Sequence, residues 1–335
     1  MPTNNNRKVS ILLPAKNCGA RLADAVASVL RQTFLNLELV IVDDHTTDGS
    51  IRDIRLNDKR LKVIANEGEG LVDALNTAAK HATGDYFARM DGDDICFRTR
   101  IEKQVEYLGA NEHIGIVATL VEIFSDSCVM EGYRIYEKWV NSLVDPAGIE
   151  REIFIESPLP HPSVMFRRDA FEKLGGYRDM GWAEDFDMWL RAYEAGVGMG
   201  KVDEVLLKWR DDENRTSKTD PRYSKDSFMR ARAHFLARTV LKNRNAIIWG
   251  AGNTGKLLCR YLDTNCKSVV GFIDINPRKI GESKAGRPVY GPGHAAKALD
   301  EIIIVSVAAR GARSEIREHL NGSGKKEGKD YVCVV

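Results

Sequence analysis

Strand-like and helix-like segments alternate along the first part of the chain, and this alternation limits the folds available to it. Four short apolar segments are predicted as strands, at residues 8–13, 37–42, 61–65 and 86–90. Between them, apolar residues recur with helical spacing, as at Leu22, Ala25 and Val29, and helices are predicted near 22–30, 48–57 and 71–82. Such alternation predicts an α/β fold in which helices cover both faces of a mostly parallel sheet.

Composition narrows the class of protein further. The chain has 335 residues, of which 43% are hydrophobic and 29% are charged, as in ordinary globular proteins. The net charge of +1 gives no general attraction to nucleic acid, so no nucleic-acid partner is expected. No apolar stretch is long enough to span a membrane. The six cysteines form no Cys-x-x-Cys pair, which favours reduced thiols and a cytoplasmic location.

The composition changes near residue 210, where a polar segment, 209–223, precedes a predicted helix at 224–242. A new strand, turn and helix begin at Ala246. We therefore predict a first domain at 1–220, a helical linker at 221–244 and a small second α/β domain at 245–335.

Three carboxylates lie within four residues after the strand at 86–90. Asp91 and Asp93 flank Gly92, and Asp94 follows directly. Two carboxylates at this spacing can hold a divalent cation and leave its other positions to diphosphate oxygens, while Gly92 leaves room for a ligand. The alternative is a polar turn whose aspartates accept backbone hydrogen bonds.

Further acids lie at two other predicted element ends. Asp43 and Asp44 follow the second strand directly, a position that helix capping does not explain. Glu184 and Asp185 lie at the start of a later predicted helix, where the helix dipole stabilises acidic side chains. A carboxylate at such a helix start is also a candidate general base.

Several motifs occur in a fixed order, and together they resemble one enzyme family. They are Val9 to Asn17, Ser28 to Thr33, Glu38 to Asp44, Gly84 to Asp94, His161 to Tyr177, and the Glu184–Asp185 pair. The order over roughly residues 8–220 is similar to that of the family 2 glycosyltransferases, inverting enzymes of the GT-A fold. The resemblance implies a GT-A nucleotide-diphospho-sugar transferase domain.

The resemblance also implies a role for each matching residue. Asp44 would bind the nucleotide base, in a nucleoside pocket with Pro14, Lys16 and Asn17. Asp93, with Asp91, would hold Mg²⁺ or Mn²⁺ on the donor diphosphate, and Asp91 and Gly92 would also contact the donor nucleotide. Asp185 would be the general base. Sugar or acceptor contacts would come from Glu184, Trp182 and His161, although His161 is equally well explained as a structural residue.

The chain departs from the family pattern at two places. His45 and Thr46 stand where the family commonly has Gly and Ser, which leaves base and ribose contacts less certain. Asp212 stands where relatives often carry His. It could bind metal or phosphate, but we favour a solvated loop acid.

The second domain opens with a complete G-x-G-x-x-G motif between a strand and a helix. Its glycines are Gly250, Gly252 and Gly255, and Asp274 ends the next predicted strand about 20 residues later, as in a Rossmann ribose site. The stretch from Gly271 to Val289 is similar to the nucleotide-binding part of sugar acetyltransferases. A small Rossmann-like half domain is therefore expected, either binding NAD(P) or another nucleotide, or serving as an empty scaffold.

The leading hypothesis is metal-dependent, inverting transfer of a sugar from a nucleotide-diphosphate sugar to a hydroxyl of a glycan or lipid-linked acceptor. Surface polysaccharide or glycolipid synthesis is the expected setting. A nucleotide-sensing or scaffold protein, and a bifunctional transferase with a redox second domain, are the alternatives. Peripheral contact with the inner face of the membrane and a homo-oligomeric state stay open.

Overall fold

The computed structural model of the chain describes residues 7–54, 57–213 and 215–335. Its internal contacts divide the chain into two compact units. The first contains the described residues up to Ile149, Pro158–Met180 and Ala195–Thr219. The second contains Glu150–Ser157, Gly181–Glu194 and Asp220–Val335.

The first unit is built on an eight-stranded mixed sheet. Its strands are β1 (Val9–Ala15), β2 (Leu37–Asp43), β3 (Leu61–Ala65), β4 (Tyr86–Arg89), β5 (Ile95–Cys96), β6 (Ile114–Phe124), β7 (Met165–Arg167) and β8 (Gly198–Arg210). They are ordered β3-β2-β1-β4-β7-β6-β8-β5. The first four are parallel, as the sequence predicts, whereas β7 pairs antiparallel with both β4 and β6.

The helices of the described chain follow in sequence order. They are α1 (Arg21–Leu30), α2 (Gly70–His81), α3 (Arg100–Ala110), α4 (Glu131–Ser142), α5 (Pro146–Glu152), α6 (Arg168–Lys173), α7 (Glu184–Glu194), α8 (Thr216–Thr219), α9 (Lys225–Arg238), α10 (Asn253–Thr264) and α11 (Ala312–Gly322). In α1 the residues at helical spacing, Leu22, Ala25 and Val29, are all buried. They pack into the same core as β1 and β2.

One predicted helix does not form. The sequence predicts a short helix at 48–57, but the described residues 48–54 form turns and bends, and residues 55–56 lie outside the described part. Side chains compete with the helix here, because Asp48 accepts hydrogen bonds from the backbone amides of Gly19 and Ser50. The segment therefore becomes a loop held against the end of β1.

The second unit contains a six-stranded sheet. Its strands are β9 (Ala246–Trp249), β10 (Val269–Ile273), β11 (Ser283–Lys284), β12 (Arg287–Tyr290), β13 (Ile302–Val305) and β14 (Tyr331–Cys333), ordered β11-β12-β10-β9-β13-β14. All pairs are parallel except β11 with β12. The strand order reverses at β9, which is the point where Rossmann-like sheets bind ligands.

Helices α7 and α9 pack together within the second unit. The rings of Phe186 and Phe228 lie 4.9 Å apart, and Arg232 donates a 2.7 Å hydrogen bond to the carbonyl of Phe154. Ser224 caps α9 by accepting from the amide of Ser227. Among the described residues, no helix is both long enough and apolar enough to cross a membrane.

Candidate functional site

Three polar segments follow the carboxyl ends of neighbouring strands in the first unit. Strand β1 lies between β2 and β4, and all three run in the same direction. The segments at 16–19, 44–49 and 90–94 therefore leave one edge of the sheet. Ligands of open α/β sheets bind at this edge.

Asp44 is 4% exposed, and three donors hold its carboxylate. Oδ1 accepts hydrogen bonds from Asn66 Nδ2 at 2.7 Å and from the Gly70 amide at 2.9 Å, while Oδ2 accepts from Lys16 Nζ at 3.2 Å. Burial opposes ionisation, but these hydrogen bonds lower the pKa of Asp44. Because a carboxylate has about four acceptor positions, one position is left for a ligand donor.

Two residues near Asp44 adopt left-handed backbone conformations. Asn17 has φ of 50°, and its Oδ1 accepts a 2.8 Å hydrogen bond from the Thr47 amide. His45 has φ of 58°, which explains why glycine suits this position. Histidine tolerates this region better than most residues. Pro14 lies within β1, so the predicted nucleoside residues are gathered at one edge of the sheet.

The aspartates after β4 form a compact cluster. One carboxylate oxygen from each of Asp91, Asp93 and Asp94 lies within 4.8 Å of the others. The buried guanidinium of Arg89 contacts Oδ2 of Asp91. Arg100 of α3, also buried, donates a 2.7 Å hydrogen bond to the backbone carbonyl of Arg89. Two arginines therefore support the turn that carries the carboxylates.

The charges of this cluster are only partly compensated. Burial, and then the charge of Asp91, raises the pKa of Asp93 to about 6 and also raises that of Asp94. Asp94 Oδ1 accepts a 2.7 Å hydrogen bond from the amide of Arg210. Its Oδ2 is buried without a hydrogen-bond partner among the described residues. Such a set of carboxylate oxygens fits a hard divalent cation such as Mg²⁺ or Mn²⁺.

Gly92 allows close packing beneath this turn. A Cβ at Gly92 would lie 2.6 Å from Sγ of Cys18 and 3.3 Å from Cδ1 of Leu22. The space that the sequence assigns to a ligand is therefore taken, on this side, by the thiol of Cys18. Glycine is required here because the chain approaches itself.

Asp185 lies in the first turn of α7 in the second unit, and its carboxylate is held at both oxygens. Oδ1 accepts a 2.7 Å hydrogen bond from the Phe186 amide, and Oδ2 accepts one of 3.0 Å from the hydroxyl of Ser157. Burial, and then the charge of Glu184, raises the pKa of Asp185 to about 7. This carboxyl group can therefore exchange a proton near neutral pH.

The other two residues predicted near Asp185 have partners of their own. Glu184 is buried and accepts a 2.6 Å hydrogen bond from the hydroxyl of Tyr223. Trp182 is buried and donates its indole N–H to Oδ1 of Asp187 at 3.1 Å. Asp187 also accepts a 2.7 Å hydrogen bond from Arg191. Trp182 thus takes part in the packing at the start of α7.

His161 and Asp212 also lie in hydrogen-bonded pairs within the first unit. His161 is buried, with Nε2 2.8 Å from the hydroxyl of Tyr177. Asp212 accepts a 2.8 Å hydrogen bond from Arg21. Asp212 is thus paired with Arg21, and its role stays a prediction.

The three motif glycines of the second unit have different surroundings. Gly250 has φ of 121°, and a Cβ there would lie 2.6 Å from the carbonyl of Ser306. A Cβ at Gly255 would lie 1.9 Å from the carbonyl of Gly250. At Gly252 it would meet no described atom within 4 Å. The first and third glycines therefore allow close packing, and the second faces open space.

Asp274, after β10, is joined to this glycine loop. Oδ2 accepts hydrogen bonds from the Ala251 amide at 3.0 Å and from Lys279 Nζ at 2.8 Å, and Oδ1 accepts from the Asn276 amide at 2.9 Å. Burial opposes ionisation, but these bonds lower the pKa of Asp274. The structure thus brings Asp274 and the G-x-G-x-x-G loop together, as predicted.

Sequence reasoning missed two contributions at these places. Asp94 belongs to the acidic run noted in the sequence, but only Asp91 and Asp93 were predicted to hold the metal. Ser157 is a single serine outside any motif. Only the packing of distant segments shows that Ser157 contacts Asp185.

Comparisons with known proteins agree with this arrangement. Residues 10–175 match the model of Glycosyl transferase family 2, and residues 241–326 match that of the CoA binding domain. The putative glycosyltransferase EpsE of Bacillus subtilis (strain 168) is 35% identical over 232 residues, which cover 67% of this chain and 80% of EpsE. The chain belongs to glycosyl transferase family 2. An uncharacterized glycosyltransferase of Haemophilus influenzae is 32% identical over 218 residues, covering 62% of this chain and 67% of that protein.

Solved structures share the fold of this family 2 glycosyltransferase. TarS of S. aureus, residues 1–349 in complex with UDP-GlcNAc, has a TM-score of 0.54 at 16% identity, over 76% of this chain and 71% of that one. The mannosyltransferase PcManGT of Pyrobaculum calidifontis, in complex with GDP-Man and Mn²⁺, has a TM-score of 0.50 at 21% identity. The similarity covers 69% of this chain and 62% of PcManGT. At such identities the similarity establishes a GT-A-like fold.

Proposed function

We propose that this chain catalyses metal-dependent, inverting transfer of a sugar from a nucleotide-diphosphate sugar to a hydroxyl group of a glycan or lipid-linked acceptor. The observation that carries this proposal is the cluster of Asp91, Asp93 and Asp94 at the carboxyl edge of the sheet, with one buried oxygen unpartnered among the described residues. Burial and mutual repulsion raise the pKa values of Asp93 and Asp94, and a bound cation would relieve that repulsion and stabilise the ionised carboxylates.

The donor would bind along the edge that carries Asp44 and the aspartate cluster. Asp44 would accept a hydrogen bond from the nucleotide, with Pro14, Lys16 and Asn17 beside it. Asp91, Asp93 and Asp94 would hold the cation, and Mn²⁺ in the PcManGT structure supports a divalent metal. When bound, such a cation neutralises the charge that develops on the departing diphosphate.

Asp185 would act as the general base. In its ionised form it accepts the proton of the acceptor hydroxyl while that oxygen attacks C1 of the donor sugar. The bond from C1 to the diphosphate oxygen breaks in the same step, and the nucleoside diphosphate leaves with the electron pair. A single displacement inverts the anomeric centre. The pKa of about 7 supports this role because an efficient base titrates near the working pH.

The names of two relatives support a setting in polysaccharide assembly. One is the UDP-Glc:alpha-D-GlcNAc-diphosphoundecaprenol beta-1,3-glucosyltransferase WfgD of Escherichia coli, 31% identical over 144 residues, which cover 42% of this chain and 56% of WfgD. The other is the amylovoran biosynthesis glycosyltransferase AmsE of Erwinia amylovora, 27% identical over 207 residues. We accordingly propose a lipid-diphosphate-linked sugar as the first acceptor to test.

The test is a transfer assay with the full chain, a panel of UDP-, GDP-, CDP- and dTDP-sugars, Mn²⁺ or EDTA, and a lipid-diphosphate-linked N-acetylglucosamine acceptor. We expect metal-dependent release of one nucleoside diphosphate and a product of inverted anomeric configuration by NMR. Asp93→Ala and Asp185→Asn should each reduce transfer about a thousandfold or more. Asp203→Asn, a change at an exposed acid, is the matched control. Binding of donor and metal without turnover would instead indicate a sensor.

A further inference from the structure

A cavity of about 390 Å³ lies in the second unit at the carboxyl ends of β9, β10 and β13. Its volume is within the range of small-molecule sites. It lies at the point where the strand order reverses. Trp249, Gly252, Asp274, Lys279, Ser306 and Glu315 are among the residues that line it.

One end of the cavity has the features of a phosphate site. Gly252 precedes α10, a helix of 12 residues whose amino-terminal amides carry partial positive charge. The open space at Gly252 gives a ligand access to this backbone. Ser306, which is 3% exposed, also lines the cavity, and its hydroxyl has no hydrogen-bond partner among the described residues. A phosphate oxygen would satisfy that hydroxyl.

The other end of the cavity has the features of a nucleoside site. The Asp274 carboxylate accepts three hydrogen bonds and has capacity for about one more, which a sugar hydroxyl can supply. The next residue, Ile275, also lines the cavity and is 74% exposed. An exposed apolar side chain beside an anionic acceptor suits the base and ribose of a nucleotide.

The charges at this end disfavour any further phosphate. Of the two carboxylates that line the cavity, Asp274 and Glu315, Asp274 lies at this end. Lys279 lines the cavity as well, but its ammonium group is already paired with Asp274 at 2.8 Å. A phosphate on the ribose would therefore meet a carboxylate whose cation is already engaged. Like charges brought together in this way repel each other and weaken binding.

We propose that the second unit binds a nucleotide whose ribose keeps its free hydroxyl groups, and that it excludes nucleotides with an additional phosphate on that ribose. CoA and NADP carry such a phosphate, whereas dephospho-CoA and NAD do not. The preferred ligand class thus differs from the one for which the family model of residues 241–326 is named. This inference is independent of the sugar transfer proposed above.

Calorimetric titration of the full chain with two matched pairs of ligands tests the proposal. NAD is compared with NADP, and dephospho-CoA with CoA, so that each pair differs by one ribose phosphate. At least one unphosphorylated ligand should bind about tenfold or more tightly than its phosphorylated partner. Equal or tighter binding of CoA and NADP would overturn the proposal, and so would the failure of all four ligands to bind.

The variant Gly252→Val tests whether the ligand binds in this cavity. Gly252 has φ of −90° and ψ of −167°, an extended conformation that valine accepts, and the space at its Cβ is open. The variant should therefore fold, with at most a small fall in melting temperature because valine is a poorer N-cap than glycine, and should lose the binding. Binding that survives Gly252→Val lies elsewhere and contradicts the proposal.

Two further variants test the role of the charges. Asp274→Asn removes the carboxylate and frees Lys279. The affinity for NADP relative to NAD, or for CoA relative to dephospho-CoA, should therefore rise at least tenfold. Lys279→Met leaves Asp274 without its cation and should sharpen the discrimination against phosphate. If neither variant changes the ratio within a pair, Asp274 does not select the ligand. If Asp274→Asn fails to fold, the result for Lys279→Met still shows whether these charges set the preference within a pair.

Discussion

The hydroxyl group of Ser157 donates a 3.0 Å hydrogen bond to Oδ2 of Asp185 and accepts one of 2.8 Å from the indole N–H of Trp189. Trp189 is fully buried, and an indole can only donate. The proton of Ser157 is therefore directed to Asp185. This hydrogen bond favours the charged carboxylate and opposes the effect of burial on its pKa.

Ser157→Ala should raise the pKa of Asp185 above its value of about 7, because the charged form loses a hydrogen bond. A shift of about one unit corresponds to about 1.4 kcal/mol, within the usual worth of such a bond. If Asp185 is the base, the acidic limb of the pH profile of kcat/KM should move upward by that amount. Activity well above the new pKa should stay close to that of the wild type.

Ser142→Ala is the matched control, because Ser142 is exposed and its hydroxyl bonds only locally, to the carbonyl of Trp139. The control should leave the profile in place. An equal loss of activity at every pH in Ser157→Ala would show that Ser157 supports the fold alone and does not tune the base.

Gly92→Ala should weaken metal binding through a steric effect on the aspartate turn. The new methyl group would lie 2.6 Å from Sγ of Cys18, closer than two such atoms can approach. The turn must therefore shift, and we expect Mn²⁺ affinity to fall about tenfold, as when the support of metal ligands is disturbed. Titration of Mn²⁺ by calorimetry measures the loss.

Cys18→Ala in the same chain provides the rescue. Removing the thiol opens the space that the methyl group needs, so the double variant should bind Mn²⁺ nearly as well as Cys18→Ala alone. No recovery in the double variant would mean that Cys18 is not the obstacle.

Glu38, which is 2% exposed, holds the start of β2 by pairing with two partly exposed lysines. It accepts hydrogen bonds from Lys62 Nζ at 2.8 Å, Lys8 Nζ at 3.0 Å, Ser10 Oγ at 2.6 Å and the Thr83 amide at 2.6 Å. Burial opposes ionisation, but these partners hold the pKa of Glu38 well below its usual range. Its stabilising effect is therefore complete above the unfolded pKa, about 4.3, and is lost as the pH falls toward the folded value.

Glu38→Gln should destabilise the first unit by about 1–2 kcal/mol at pH 7, because it weakens several hydrogen bonds to a buried carboxylate, while the two partly exposed lysines can still be solvated by water. It should also flatten the decline in stability between about pH 5 and pH 3. Melting temperatures across this range measure both effects. The exposed Glu112→Gln is the control, and an unchanged acid slope in Glu38→Gln would contradict the assignment.

The sequence predicts elements well where one segment carries its own pattern. Strand β3 has the predicted bounds, β9 begins at the predicted residue, and α1 differs by one residue at its start. The failed helix at 48–57 shows the limit of this approach, since Asp48 bonds to the backbone of Gly19, which no local pattern reveals. The same limit hides the pairing of β6 with β8, which joins residues about 80 positions apart.

In the candidate site, too, local sequence patterns were predictable and contacts between distant segments were not. The aspartate cluster was predictable because its residues are adjacent in the sequence and follow a strand. The close approach of Gly92 to Cys18 and the contact of Ser157 with Asp185 could not be predicted, because each depends on tertiary packing of separate segments. The functions assigned to Asp185, Trp182 and His161 stay predictions.

Asp94→Asn should separate metal binding from folding more cleanly than any other change in the cluster. The amide oxygen can replace Oδ1 as the acceptor for Arg210. At Oδ2 the substitution removes a buried carboxylate oxygen that has no hydrogen-bond partner among the described residues. Without metal, the loss of uncompensated negative charge should leave the melting temperature equal to or above that of the wild type.

The same variant should respond differently to Mn²⁺. Losing one of three carboxylates should reduce metal affinity by about tenfold to a hundredfold, so the rise in melting temperature on adding Mn²⁺ should shrink. Two melting curves for each protein, in EDTA and in Mn²⁺, give both quantities. A full Mn²⁺ response in Asp94→Asn would show that Asp91 and Asp93 bind the metal without Asp94. A lower melting temperature in EDTA would show instead that Asp94 is a structural acid.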